Sequence, residues 1–506
     1  MPCLSFWVVR ARSGWALPWR AAATPDRSHC VELKRGPVSG EGPFLWSRPI
    51  FNLASLSANR AQSLRLLGIG FICSVLVLGG GGTPAPLPEL ACELLAAVAL
   101  FGWFALRGPE ALAVDRRIWI ALALIAVVPL LQLIPLPPSL WHELPGRGVL
   151  RDALALVGQE DAWRPLSVAP QRTLDGALSL LPPFTAMLFV ASMDARDRLL
   201  LLKVIAGFGL LSVAIGAAQL AGGGESPLQF YYRGQPGILF GFQGNRNAQA
   251  DVLLIAILAL VVGWGTAAAK SRALLGAVLI VGAVLLLGVV LTASRTGMGL
   301  IPVMLLWGLI FLRRERLIAA MRVTRWQWLA LGASGVVGVL AAWQTNAVAR
   351  VLARFDFSGE YRLDIWRDTI FAIQQYWPLG SGLGTFTRVI PPAERLEAVR
   401  GTLNNRAHNE YLELVLEGGI PLALCWAIVA ALVLAGIWRG LRNRHVMPTG
   451  QAIFAAGSIS LTTLHSLVDY PFRSMALVTL IAIAAALVLA PRPSEKPTSP
   501  RESTNL

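Results

Sequence analysis

ALLGAVLIVGAVLLLGVVLT, residues 273–292, carries no charged side chain. A helix needs about 20 mainly apolar residues to cross the hydrocarbon core of a bilayer. A barrel strand needs only about 10, with alternating polarity, so this run reads as a membrane-spanning helix. Similar runs lie on both sides of it, at 64–80, 90–106, 118–134, 174–191, 199–221, 248–264, 297–312, 326–344, 419–438, 450–468 and 474–490. With 55% hydrophobic and 14% charged residues, the composition excludes an ordinary soluble protein. The expected fold is an all-α polytopic membrane protein of about 12 transmembrane helices with one large helical periplasmic loop.

Basic residues set the orientation. With the N-terminus inside, 28 of the 44 Lys and Arg residues, including all four Lys, fall on cytoplasmic segments. Of the 16 outside, 12 lie in the long loops 135–173 and 345–418, which obey the positive-inside rule weakly. Much of the +15 net charge is then an inner Arg collar beside anionic lipid. No soluble basic domain exists to bind nucleic acid. Five scattered Cys and no CxxC pair argue against a disulfide framework or a zinc site.

The expected organisation follows. Residues 1–60 are rich in Arg, Trp, Pro and Ser and read as a disordered cytoplasmic segment or an over-extended gene start. Residues 61–344 hold nine spans, with the outer loop 135–173 among them and a short helix near 147–157. Residues 345–418 form the large periplasmic loop, with helices at 359–377 and about 405–417 separated by the turn GSGLGTF (380–386). Residues 419–490 hold three more spans, and 491–506 form a disordered cytoplasmic tail. The GSGLGT run is only loosely like a dinucleotide fingerprint; without a preceding strand it reads as a turn. Glu93, Lys203, Asp251 and His465 all lie near the ends of spans rather than mid-membrane, which counts against an ion-coupled transporter.

The polar residues with chemical potential gather on the outer side. Arg246, Arg295 and Arg362 each stand at the outer end of a helix. Singly, each reads as an interface anchor or a helix-end salt bridge. As a set they read as a clamp, because guanidinium groups grip phosphate oxygens in a fork. His408 lies in RAHNEYL (406–412), with Tyr411, Leu412 and Val415 on its helical face. It is either a hydrogen-bonded structural histidine or a general base, since neutral imidazole accepts a proton near pH 7. Glu410, Glu413 and Glu417 share another face and read as solvated. His465 and Asp469, spaced i,i+4, can hydrogen-bond to each other. With Arg473 they read as a supporting network rather than a metal site. Asn245, Asn247, Asn409, Tyr411 and Arg367 are the flanking candidates for substrate contact.

At these residues the chain resembles the O-antigen ligase / O-antigen polymerase superfamily of bacterial membrane glycosyltransferases. The pieces that carry the resemblance are GNRNAQADVLL, LTASRTGMGL, YRLDIWRDTIFAIQQYWPLGSGLGTF, AHNEYLELVLEGGIPL and HSLVDYPFR, in that order between about 240 and 475. The resemblance implies a multi-pass inner-membrane enzyme that takes an undecaprenyl-diphosphate-linked saccharide at the periplasmic face, with no metal or other cofactor. The acceptor hydroxyl would belong to a glycan, a lipid A-core or a protein. The superfamily's essential Arg pair maps to Arg295 and Arg362, its loop His to His408, and the Arg of its NRN segment to Arg246. Where many relatives carry an aromatic or His after NRN, this chain has Ala248 and Gln249. The competing reading is a non-catalytic exporter or flippase of polysaccharide or lipid-linked glycan.

Overall fold

The computed structural model describes residues 53–81, 86–223, 226–231, 237–318, 361–399 and 403–491, together with 324–326, 329, 332–333 and 401. The expectations for residues 1–52 and 492–506 and for the span at 326–344 lie essentially outside these residues. The first helices are α1 (Leu53–Leu78), α2 (Pro86–Arg107) and α3 (Arg116–Gln132). A two-residue antiparallel ladder, β1 (Pro135–Leu136) with β2 (Arg164–Pro165), then brackets the short helix α4 (Gly148–Ala155). Next come α5 (Pro170–Leu178), α6 (Leu181–Ser192), α7 (Ala195–Gly222), α8 (Arg246–Ala268), α9 (Arg272–Leu291), α10 (Arg295–Gly299) and α11 (Ile301–Arg314). The chain ends with α12 (Arg362–Tyr376), α13 (Glu410–Arg442), α14 (Thr449–His465) and α15 (Met475–Leu489).

Eight helical stretches among the described residues are long and apolar enough to cross a membrane. The runs expected at 118–134, 450–468 and 474–490 form α3, α14 and α15, which have 17, 17 and 15 residues. The run at 174–191 is broken into α5 and α6.

Helix α8 is the hub. It is apolar on all sides and buried along most of its length, as a helix enclosed by others must be. It packs against α7, α9, α11 and α14. Gly209 of α7 lies against Ala256, and Gly457 of α14 against Leu258. Such small residues let helix backbones approach closely where lipid offers no hydrophobic drive for association. Helices α8 and α14 run antiparallel: Gly450 faces Val262, while Asp251 meets His465 at the other end. Helix α9 is equally apolar but buried over only 22% of its span, so its remaining surface suits lipid.

The segment around 376–386 is woven into this bundle end. Gly380, Gly382 and Gly384 all have positive φ, as the expected turn requires. Ser381 N donates to Leu416 O and Gly382 N to Glu417 O, each at 2.9 Å. From the other half of the chain, Gln132 donates to Glu417 O at 2.8 Å and accepts from Leu383 N at 2.9 Å. These bonds satisfy carbonyls freed where α13 kinks. The kink falls at Gly419 (φ 56°, ψ −154°), just before Pro421. A Cβ at Gly419 would overlap the Pro378 carbonyl oxygen. Gly419→Ala is therefore expected to cost about 1–3 kcal/mol from backbone strain, with the steric overlap adding to it. A lower midpoint of thermal unfolding in detergent checks this, and an unchanged midpoint would refute it.

Helix α13 corrects one expectation. The helix foreseen at 405–417 begins only at Glu410, because Asn409 caps it, accepting from Tyr411 N and Leu412 N at 3.0 and 3.1 Å. Residues 403–409 form no helix, so His408 is not on the face it was expected to share with Tyr411 and Val415.

Candidate functional site

The motifs foreseen as outer converge on one end of the bundle, and a chain of hydrogen bonds runs through it. Ser294 Oγ donates to Asn247 Oδ1 at 2.7 Å. Asn247 Nδ2 donates to Asp469 Oδ2 at 2.6 Å. The other carboxylate oxygen, Asp469 Oδ1, lies 3.1 Å from His408 Nδ1. Partners 61 and 222 residues away are thus joined at Asp469, which is 3% exposed.

His408 is held from every side. Its backbone is left-handed (φ 49°), as is that of Ala293 (φ 50°), beside Ser294 and Arg295. Such φ values cost a non-glycine residue of order 1 kcal/mol or more and persist only where surroundings enforce them. Here the preceding residue is fixed at both backbone polar groups. Ala407 N donates to Glu413 Oε2 at 3.1 Å, and Ala407 O accepts from Trp366 Nε1 at 3.0 Å. The imidazole packs against the rings of Tyr470 and Tyr361, at centroid distances of 4.9 and 6.2 Å. An ionised carboxylate only accepts, so in the neutral ring Nδ1 carries the hydrogen and Nε2 keeps its lone pair. This is the tautomer a general base needs.

Burial alone would raise the Asp469 carboxyl, but the His408 hydrogen bond, the charges of His465 and His408, and the Asn247 hydrogen bond hold it below the ordinary range. The side chains of His465 and Asp469, however, are not hydrogen-bonded to each other: Nε2 and Oδ2 stand 4.0 Å apart, although Asp469 N donates to His465 O at 3.0 Å. His465 Nδ1 instead pairs with Asp251 Oδ1 at 2.7 Å.

Arg246, Arg295 and Arg362 are each the first residue of a helix and each partly buried. A cation there opposes the helix dipole, so helix stability does not account for the placement. Arg116 and Arg272 open α3 and α9 in the same way, away from this cluster. What distinguishes the trio is its neighbours. Arg246 lies between Asn245 and Asn247, Arg295 follows Ser294, and Arg362 follows Tyr361 and lies in electrostatic reach of His465. The chain positions of the three arginines are therefore gathered near the Asp469–His408 pair through their neighbours Asn247, Ser294 and Tyr361.

Arg473 belongs to a second cluster. Glu410, Glu413 and Glu417 were expected to be solvated; they are 8, 0 and 0% exposed. Their i, i+3, i+7 spacing forms one face of α13, and the Arg473 guanidinium sits on it at 3.3, 3.1 and 3.0 Å. Arg406 adds a second cation, 2.8 Å from Glu413. Burial alone would lower the Arg473 pKa, and the Glu413, Glu417 and Glu410 carboxylates raise it instead. Arg473 thus supports the site through α13 rather than through His465 and Asp469. Removing one partner of a buried ion pair typically costs about 3–5 kcal/mol. Arg473→Ala is expected to destabilise the protein by that order, read as a loss of thermal stability; a change below about 1 kcal/mol would contradict the burial.

The remaining expected residues divide. Asn245 and Asn409 cap α8 and α13 with their side chains. Asn409 also donates to Leu467 O at 3.0 Å, and Tyr411 OH donates to Thr463 O at 2.9 Å. Arg367 is largely exposed and pairs with Asp364 at 3.9 Å. Ala248 and Gln249 face the core, where Gln249 bonds Ser212 at 2.9 Å, so the departure after NRN does not alter the open side of the site. Sequence reasoning assigned no role to Ser294, Trp366 or Glu413. Trp366 was visible on the face of Arg362, and Glu413 in the spacing of the three glutamates. Nothing local pointed to Ser294. Among the described residues no three His, Cys, Asp or Glu side chains are grouped as a metal site requires.

Residues 280–427, which run from α9 through the first half of α13, match the family described as O-Antigen ligase. No curated protein matches the chain.

Proposed function

We propose, from the match of residues 280–427 to the O-antigen ligase family, that this multi-pass membrane protein is a glycosyltransferase of the bacterial inner membrane. It moves an undecaprenyl-diphosphate-linked glycan to an acceptor hydroxyl at the periplasmic face. The observation that carries the reading is the Asp469–His408 pair, a carboxylate-oriented imidazole set among the three N-terminal arginines. His408 Nε2 takes the proton of the acceptor hydroxyl. That oxygen bonds to the anomeric carbon of the donor, and the bond from this carbon to the diphosphate oxygen breaks. The electron pair leaves with the diphosphate, whose growing charge Arg295 and Arg362, with Arg246, offset. Both substrates bring their own hydroxyl and phosphate groups, and the donor supplies the energy.

The test is reconstitution of the purified protein in liposomes with a lipid-diphosphate glycan and candidate acceptors. Release of undecaprenyl diphosphate together with a lengthened acceptor supports transfer. A lipid A-core acceptor identifies a ligase, the end of another repeat unit a polymerase, and a protein hydroxyl a protein glycosyltransferase. Movement of intact donor across the bilayer without release would establish the exporter reading instead.

A further inference from the structure

Behind His408 lies a row of titratable groups that the proposed chemistry does not use. His465 is 1% exposed and Asp251 fully buried, with Nδ1 and Oδ1 2.7 Å apart. Among the described residues His465 Nε2, also buried, has no hydrogen-bond partner; Asp469 Oδ2 lies 4.0 Å from it. Asp251 Oδ2 is likewise unpartnered. A pair buried this completely is costly to maintain, and two of its polar atoms are left unsatisfied, which calls for an explanation.

We infer that Asp251 and His465 form a charge-setting device for the reaction: His465 stands as an imidazolium between the Asp251 and Asp469 carboxylates and fixes how strongly Asp469 holds a proton on His408. The inference rests on the proposed transfer reaction. Its geometry is direct. Nδ1–H of His465 donates to Asp251. A lone pair on Nε2 would face the Asp469 carboxylate across 4.0 Å, whereas an N–H there is attracted to it. The triplet then carries one net negative charge beside His408 instead of two. The other groups at this row are the Arg362 cation, within reach of His465, Arg246 and Arg295 beside Asn247 and Ser294, and the Tyr361 and Tyr470 rings on His408; Arg406 is paired with Glu413. Neither Asp251 nor His465 touches substrate in this reading. Both are positioning residues acting through Asp469.

Opposite substitutions give opposite signs. In His465→Gln the cation is gone and two carboxylates remain beside His408. The acid limb of the kcat/KM profile moves to higher pH, and the rate at the acid end falls about tenfold relative to the plateau. In Asp251→Asn one carboxylate is gone, the imidazolium turns wholly to Asp469, and the acid limb moves to lower pH. A structural role predicts falls in rate without such displacements. Shifts of the same sign in both variants, or none in either, overturn the inference. A second measurement needs neither variant to fold and no transfer activity. Imidazole nitrogen shifts of the wild-type protein labelled at its five histidines should show one ring protonated on both nitrogens well above pH 7. If every ring carries a single proton there, the device does not exist. If that ring is present but wild-type protein releases no lipid diphosphate, it is the transfer reading that fails.

Discussion

His408→Ala is expected to lower the release of undecaprenyl diphosphate by about 10²–10⁴, the range of a lost general base. The fold should survive, because the contacts around the residue are made by its neighbours. Trp366 and Glu413 bind the Ala407 backbone, and Asp469 keeps Asn247. Arg295→Ala and Arg362→Ala should each cost about 10²–10³, comparable with removing one donor from a developing oxyanion. Lys at either position should recover only part of this, since an ammonium is a point charge and cannot fork across two phosphate oxygens. Effects in the double Arg variant should fall short of the product of the single ones, because both groups act on one leaving group. The measurement is single-turnover release from preloaded donor, with thermal stability followed in parallel. Wild-type rates in His408→Ala and in either Arg variant would remove these residues from the reaction.

The fold was legible where one physical requirement dominates. The membrane run 273–292 became α9 to within one residue, and 248–264 became the longer α8 (246–268), because only a helix satisfies the backbone of an apolar run that long. Helix α12, expected at 359–377 and found at 362–376, ends ahead of Pro378, because the residue before a proline is pushed out of the helical region. The start of α13 was not. Its periodic pattern runs back past residue 409, and the asparagine that ends it is an N-cap whose role depends on φ/ψ. In the candidate site, residue types were legible and pairings were not. His465 and Asp469 keep the i,i+4 backbone bond, but their side chains are taken by long-range partners, Asp251 for the one and Asn247 and His408 for the other. The three glutamates looked solvated because acidic residues usually are. A single arginine 56 residues beyond Glu417 reversed that. Long-range partners such as Asn247 with Asp469, 222 residues apart, leave no local pattern to read.

Asp469→Asn should be nearly as damaging as loss of His408 itself, although Asp469 touches no substrate. Both oxygens of this carboxylate accept a hydrogen, one from His408 and one from Asn247. An amide has one oxygen and one NH₂ group, so it can serve only one of them. If the oxygen stays with Asn247, the NH₂ faces His408 Nδ1 and forces that nitrogen to become the acceptor. The proton then sits on Nε2, and the imidazole presents the tautomer that cannot take a hydroxyl proton. The escape is for Asn247 to flip. That turns its own NH₂ toward Ser294, whose hydroxyl hydrogen loses the acceptor it has at 2.7 Å. The first arrangement loses the base, and the second keeps it only at the expense of the Ser294 bond, so kcat should fall by up to about 10²–10⁴ while KM changes little. A second consequence separates orientation from collapse. Asp469 is held below the ordinary carboxyl range, so its pairing stabilises the fold fully above the unfolded Asp value, about 3.9. That contribution is lost as pH falls through the lower folded value. The wild-type protein should therefore lose thermal stability across this acid window more steeply than Asp469→Asn, which has no proton to take up. Equal slopes, or a KM defect in place of the kcat defect, would show that Asp469 does something other than hold His408.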